Sequence, residues 1–252
     1  MAKLINLRAP KTQMLVFLFS FIVYFAYTRR DLYLVLLAIL ISVYAMCLDG
    51  LLHYSQKKKL LLSESACISG MIIALVLSAH NPWWLFFFAG SVAILSKYFL
   101  RLKNKHIFNP AALGIMASII LFGAVTEWKG TYSWYILVPF GLYFAYRVRK
   151  IGLLLGYALT TYILFGAACI AEHTSSFLVF GWVSYFYIFV MLIEPKTTPV
   201  RPWGKFLFGA AAALLIFVFT GMGVRFDVEL ATLLALNLTV PLLNALPERR
   251  RR

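Results

Sequence analysis

The sequence predicts an all-α, polytopic membrane protein, with about ten transmembrane helices in two inverted five-helix repeats and both termini cytoplasmic. Three observations lead there. The 252-residue chain is 62% hydrophobic with a mean hydropathy of +0.84, outside the range of an ordinary globular domain. Its apolar runs are long and do not alternate with polar residues, which selects helices over a barrel. Its positive charge does alternate. With Met1 in the cytoplasm, 20 of the 24 Lys and Arg fall in the loops and tails of that side, and the other side holds Arg29, Arg30, Lys129 and Arg225. Basic loops are retained on the cytoplasmic face of a bacterial-type inner membrane. Topology therefore accounts for the net charge of +15, with the lipid bilayer as partner and no nucleic acid.

The predicted spans are 14–28, 32–53, 65–79, 83–100, 110–126, 132–147, 151–171, 177–193, 205–222 and 229–246. The first follows Lys3, Arg8 and Lys11 and ends in Tyr27-Thr28-Arg29-Arg30. It lacks a small-residue cleavage pattern and reads as a retained span. The second carries Asp49 and His53, an i,i+4 pair on one helical face that suits a proton relay or marks a tilted helix end. With Glu64 beside the third span, these are the candidates for a proton or ion path, because charge within a span is costly.

The third span is short and polar, with Ser65, Ser69, Gly70 and Ser78, and ends in His80-Asn81-Pro82. There Asn can cap and Pro can open the next helix. The fifth begins in the same way with Phe108-Asn109-Pro110. The eighth runs into Glu194-Pro195-Lys196-Thr197-Thr198-Pro199, and the tenth carries Asn237, Thr239, Pro241 and Asn244. Basic connections fall between spans at Lys57–Lys59, Lys97/Arg101/Lys103/Lys105, Arg147/Arg149/Lys150, Lys196/Arg201/Lys205 and Arg249–Arg252. Interrupted segments at corresponding places in two halves are the layout of an inverted-repeat transporter-like fold. The whole of 1–252 is one membrane domain, with repeats of about 1–128 and 132–252. Five spans per half invert the second copy, so the third corresponds to the eighth and the fifth to the tenth.

No Ser-His-Asp set, P-loop, dinucleotide fingerprint or metal-ligand cluster appears. Hydrolase and NTPase readings fall away, and no metal is expected. Cys47, Cys67 and Cys169 have no CxxC spacing and read as small packing residues. His106, among basic residues in a loop, reads as a solvated side chain.

Three ordered stretches carry a family resemblance: Ser65-Ala-Cys-Ile-Ser69-Gly70-Met-Ile-Ile-Ala-Leu75, then Ser96 to Gly114 with its Phe108-Asn109-Pro110-Ala-Ala-Leu-Gly114 core, then Phe189-Val-Met-Leu-Ile-Glu194-Pro195-Lys-Thr197-Thr198-Pro199. In order and spacing they resemble the NqrB/RnfD family, ten-span membrane subunits of the sodium-pumping NADH:quinone reductase and of the Rnf electron-transport complex. The closest likeness is to a compact, stand-alone branch similar to membrane proteins of enediyne biosynthetic clusters. The resemblance implies two inverted five-helix repeats, redox partner subunits and a flavin, FMN or riboflavin, as cofactor. Relatives that hold FMN covalently do so on a Thr within a Ser-Gly-Ala-Thr-like element after the fifth span. This chain has only Glu127-Trp128-Lys129-Gly130-Thr131-Tyr132 there, so a non-covalent flavin is expected.

A flavin needs an apolar slot, polar groups for its ring nitrogens and ribityl hydroxyls, and helix N-termini or cations for anionic parts. Ser69, Gly70, Asn109, Pro110, Glu194, Thr197 and Thr198 are the candidate cofactor-binding residues. Each also has a purely structural reading: close helix packing for Ser69-Gly70, capping for Asn109-Pro110, and pairing with Lys196 or Arg201 for Glu194. The expected function is a membrane-embedded electron-transport subunit with a flavin bound non-covalently between its repeats. The alternative is a channel or secondary transporter for a small solute on the same scaffold.

Overall fold

The computed structural model describes residues 9–58, 63–102, 105–131 and 133–245. Lys3, Arg8, Lys59, Lys103, Tyr132 and Arg249–Arg252, which enter the sequence reading, lie outside the described residues. The chain divides into two compact units, one of Met1–His106 and Pro110–Trp134, the other of Ile107–Asn109 and Tyr135–Arg252.

The first unit holds α1 (Pro10–Arg29), α2 (Leu32–Lys57), α3 (Glu64–Val76), α4 (Trp83–Phe99) and α5 (Pro110–Phe122). A small antiparallel hairpin, β1 (Arg101–Leu102) and β2 (Lys105–His106), pairs Arg101 with His106. His106 is buried, at 9% exposure, and not solvated as its basic neighbours suggested. Pro10 opens α1, where its missing N–H is no loss, and Asp31 caps α2 by accepting from the Leu34 amide at 3.0 Å.

The second unit holds α6 (Trp134–Arg147), α7 (Ile151–Ala171), α8 (Val179–Trp182), α9 (Pro202–Gly221) and α10 (Val228–Ala245). The predicted span 177–193 is not one helix. It is a 3-10 turn at Ser176–Leu178, the single turn α8, and a π-helical stretch at Tyr187–Leu192. π-helical turns are frequent at functional sites, and this one leads directly into Glu194.

Helices α1, α2, α7, α9 and α10 are long and apolar enough to cross a membrane, and α3, α4 and α5 are shorter apolar helices. Large apolar side chains face outward along them, among them Leu32, Leu36, Ile39 and Val43 on α2 and Leu155, Leu159 and Ile163 on α7. Such a surface suits lipid, and helix association there rests on close packing. Glycines supply it. A Cβ on Gly70 would lie 2.6 Å from Ser42 Cα, so α3 meets α2 backbone to backbone. In the second unit Gly156 faces Phe206 O and Gly209 faces Leu153 O, leaving no room for a side chain between α7 and α9.

Candidate functional site

Each unit contains one interrupted element, and each interruption is held by a buried lysine. In the first unit α3 and α5 have 13 residues each, about 20 Å at the helical rise, short of the roughly 30 Å hydrocarbon core. Gly123, in the left-handed region at φ 66°, ends α5, and the Ala124 amide reaches back to Ser118 O at 3.2 Å. The predicted span 110–126 therefore finishes as extended chain that pairs with the end of α3, Leu77 opposite Thr126.

The last carbonyls of a helix lack intrahelical partners. Here 123–129 provides them: Glu127 N donates to Val76 O at 2.8 Å and Lys129 N to Leu75 O at 2.9 Å. The Lys129 ammonium donates to Ala74 O at 3.5 Å and to Leu77 O. Asn81 completes the join, donating to Val125 O at 2.8 Å and accepting from Val125 N at 3.0 Å. Lys129 is thus 4% exposed, not the solvated outer-loop charge its position suggested. A cation beside helix-terminal carbonyls is favourable. Burial lowers the pKa of Lys129 against the pull of Glu127, 3.3 Å away. Burial raises that of Glu127, but the Lys129 charge and hydrogen bonds outweigh it and leave it lowered.

The second unit gathers more polar chemistry. Beyond the π-helical stretch the chain runs through turns and bends over Glu194–Pro199. Thr198 Oγ1 donates to Glu194 O at 2.8 Å, and Thr197 Oγ1 to the Glu194 carboxylate at 3.4 Å. Asn237 and Asn244, two turns apart on one face of α10, bind this segment along the helix. Asn237 Nδ2 donates to Thr197 O at 3.1 Å, and Asn244 Oδ1 accepts from Val200 N at 2.9 Å. The other end of the Asn237 carboxamide accepts from the Asn109 amide at 2.8 Å. Lys150 closes the cluster, donating to Thr198 Oγ1 and to Pro199 O at 2.9 Å. Arg149, left-handed at φ 57°, ends α6 and turns the chain just before Lys150. Burial, and then the charge of Lys205, push the Lys150 ammonium down to about 7.

Of the predicted site residues, Asn109, Glu194, Thr197 and Thr198 come together in the second unit. Asn109, Thr197 and Thr198 are at most 2% exposed, and Glu194 is half-buried. Pro110 follows Asn109 as the first residue of α5. Ser69 donates to Ser65 O at 2.9 Å within α3, and Gly70 seats that helix on α2. Asp49 accepts from the Tyr98 hydroxyl, at 2.9 Å through its carbonyl and 3.2 Å through its carboxylate. Glu64 accepts from Thr12 Oγ1 at 2.8 Å. The sequence reading missed Lys150, hidden among basic topology residues, and Asn237, whose signal was a seven-residue spacing to Asn244.

The family described as NQR2, RnfD, RnfE matches residues 5–137, just over half of the chain. That range includes the 65–75 and 96–114 stretches but not 189–199. The RnfD component of the ion-translocating oxidoreductase complex of Buchnera aphidicola subsp. Baizongia pistaciae (strain Bp) is 33% identical over 101 residues, which cover 39% of this chain and 28% of that relative. The chain thus spans well under half of the length of this curated relative. A mostly helical architecture with several apolar helices of membrane-crossing length agrees with that membership: this multi-pass membrane protein belongs to the NQR2, RnfD, RnfE family.

Proposed function

We propose that the chain is an electron-transport subunit of an ion-translocating oxidoreductase complex in a bacterial-type cytoplasmic membrane. In this reading it is built as two inverted five-helix repeats, works with redox partner subunits, and holds FMN or riboflavin non-covalently at the Glu194–Pro199 break. One observation carries the reading. A carboxylate, two threonine hydroxyls, the Asn237 carboxamide and an ammonium converge on the Glu194–Pro199 segment, and Asn237 ties it to the Asn109 amide. This donor and acceptor set fits the ring edge and ribityl hydroxyls of a flavin.

The residues divide the work. Asn237 ties the Thr197 carbonyl to the Asn109 amide, and Lys150 fixes Thr198 and Pro199. Glu194, held through its own carbonyl by Thr198, presents the carboxylate that accepts from a ribityl hydroxyl. A bound flavin supplies the one- and two-electron chemistry. The 123–129 stretch clamps α3, which supports non-covalent binding over attachment there. Purification in detergent, a visible spectrum and acid precipitation test the proposal. Flavin absorbance that passes wholly into the acid supernatant is expected; a colourless protein that takes up neither FMN nor riboflavin would refute it.

The breaks after α3 and after Leu192 also favour a second reading, a solute channel or secondary transporter, because interrupted helices line such pathways. That reading predicts solute flux in proteoliposomes that falls in Glu194→Gln, and unchanged flux counts against it.

A further inference from the structure

The second unit contains a separate cleft along α7 that the proposed flavin site does not use. Its larger part is an apolar cavity of about 260 Å³ with walls from Leu142, Leu154, Ala158, Tyr162, Phe180 and Phe189. Beside it is a small cavity of about 20 Å³ whose lining includes Phe165 and Ile216 together with Ser184 and Glu229. The two share Tyr157, Thr161, Val179 and Val183 as wall. An apolar chamber thus adjoins a compartment with a carboxylate in it.

Two independent observations point to a ligand at the polar end. Ser184 Oγ lines that compartment, is 8% exposed, and has no hydrogen-bond partner, a costly state for a buried hydroxyl. Glu229 is the second. Its neighbour Asp227 is engaged as the cap of α10, accepting from Leu230 N at 3.0 Å. The charged group that acts on Glu229 is Asp227. Two carboxyl groups thus stand together at this end, so the complementary head group is positive. Its volume exceeds the roughly 10–15 Å³ that one small polar group or water requires. A cavity of about 150 Å³ with apolar walls accommodates benzene; by proportion the larger chamber takes an apolar body of about ten carbons.

We propose that this cleft binds an amphipathic primary amine, its hydrocarbon body in the chamber along α7 and its ammonium against Glu229 and Ser184 Oγ. The aromatic walls suit this occupant, since Tyr and Phe faces attract cations as well as hydrocarbon. The proposal is independent of the flavin reading and uses none of its residues.

The test is calorimetric titration of the detergent-purified full chain at pH 8 with decylamine, 1-decanol and decanoate, each against a micelle blank. At that pH an alkylamine is protonated and a carboxylate ionised. The expected result is saturable binding of one decylamine per chain, at least tenfold tighter than decanol, with decanoate weakest. Glu229→Gln should abolish the preference for the amine, and Ala158→Trp should remove binding of amine and alcohol alike. Equal affinities for decylamine and decanol in the unmodified protein would overturn the proposal without any variant. So would decylamine binding that survives Glu229→Gln unchanged, which would make the cleft a seat for lipid acyl chains only.

Discussion

Replacing Asn237 with Leu is the sharpest perturbation of the candidate site. Asn237 is 0% exposed, and Leu has a similar volume, so little is lost in packing. Two hydrogen bonds are lost, to Thr197 O at 3.1 Å and from Asn109 N at 2.8 Å. Each leaves a main-chain group unsatisfied in a water-poor interior, at about 1–3 kcal/mol. Together the cost is about 2–6 kcal/mol, partly relieved if Asn244 and Lys150 let the segment shift. Asn237→Asp keeps an acceptor for Asn109 N, but as a carboxylate it offers nothing to Thr197 O and buries a charge, so it should cost at least as much. Equilibrium unfolding by SDS in mixed micelles, followed by tryptophan fluorescence, reads the differences. An Asn237→Leu protein within about 0.5 kcal/mol of the parent, as for an ordinary surface change, would refute the role of this side chain as the tie between the two segments.

Three further outcomes follow from the same structure. Lys150 titrates near 7 when folded and near 10.4 when unfolded, so the unfolded chain binds the extra proton between those values. Stability should therefore rise with pH from about 7 towards 10, and thermal unfolding of Lys150→Met in detergent should show a flatter slope. Lys129→Met removes the donor to Ala74 O and Leu77 O and leaves Glu127 without its partner. Amide exchange should then quicken at 75–78 and 125–129 while α9 is unaffected. Gly209→Val places a side chain against Leu153 O, and loss of a monodisperse gel-filtration peak is expected where Gly221→Val, in open space, keeps it.

Much of this was legible in the sequence, for physical reasons. Apolar runs and basic loops mark membrane helices because lipid leaves the backbone no other partner. Asn109-Pro110 marked a helix start, with Pro110 opening α5, whereas the expected Asn81 cap is not made: Pro82 is the N-cap of α4 and the Asn81 side chain binds Ser78 O and Val125 instead. The fate of the predicted span 177–193 was not legible, since hydropathy reports apolarity and not whether i→i+4 bonding continues. Nor was the burial of Lys129 and Lys150. A lysine that caps carbonyls and one that sits in solvent have the same letter, and only the turns at Trp128 and Arg149, both with positive φ, bring these two inward. The bond from Tyr98 to Asp49 was not legible either, because helical spacing shows what shares a face, while Tyr98 comes from another helix.

The most direct test of the central claim is a fluorescence titration of riboflavin and FMN into the purified chain and into Glu194→Gln, with Glu64→Gln, a carboxylate outside the proposed flavin site, as the control. Saturable binding of one flavin per chain is predicted, weakened at least tenfold in Glu194→Gln and unchanged in Glu64→Gln. Binding that is absent throughout, or equal in all three proteins, would contradict it.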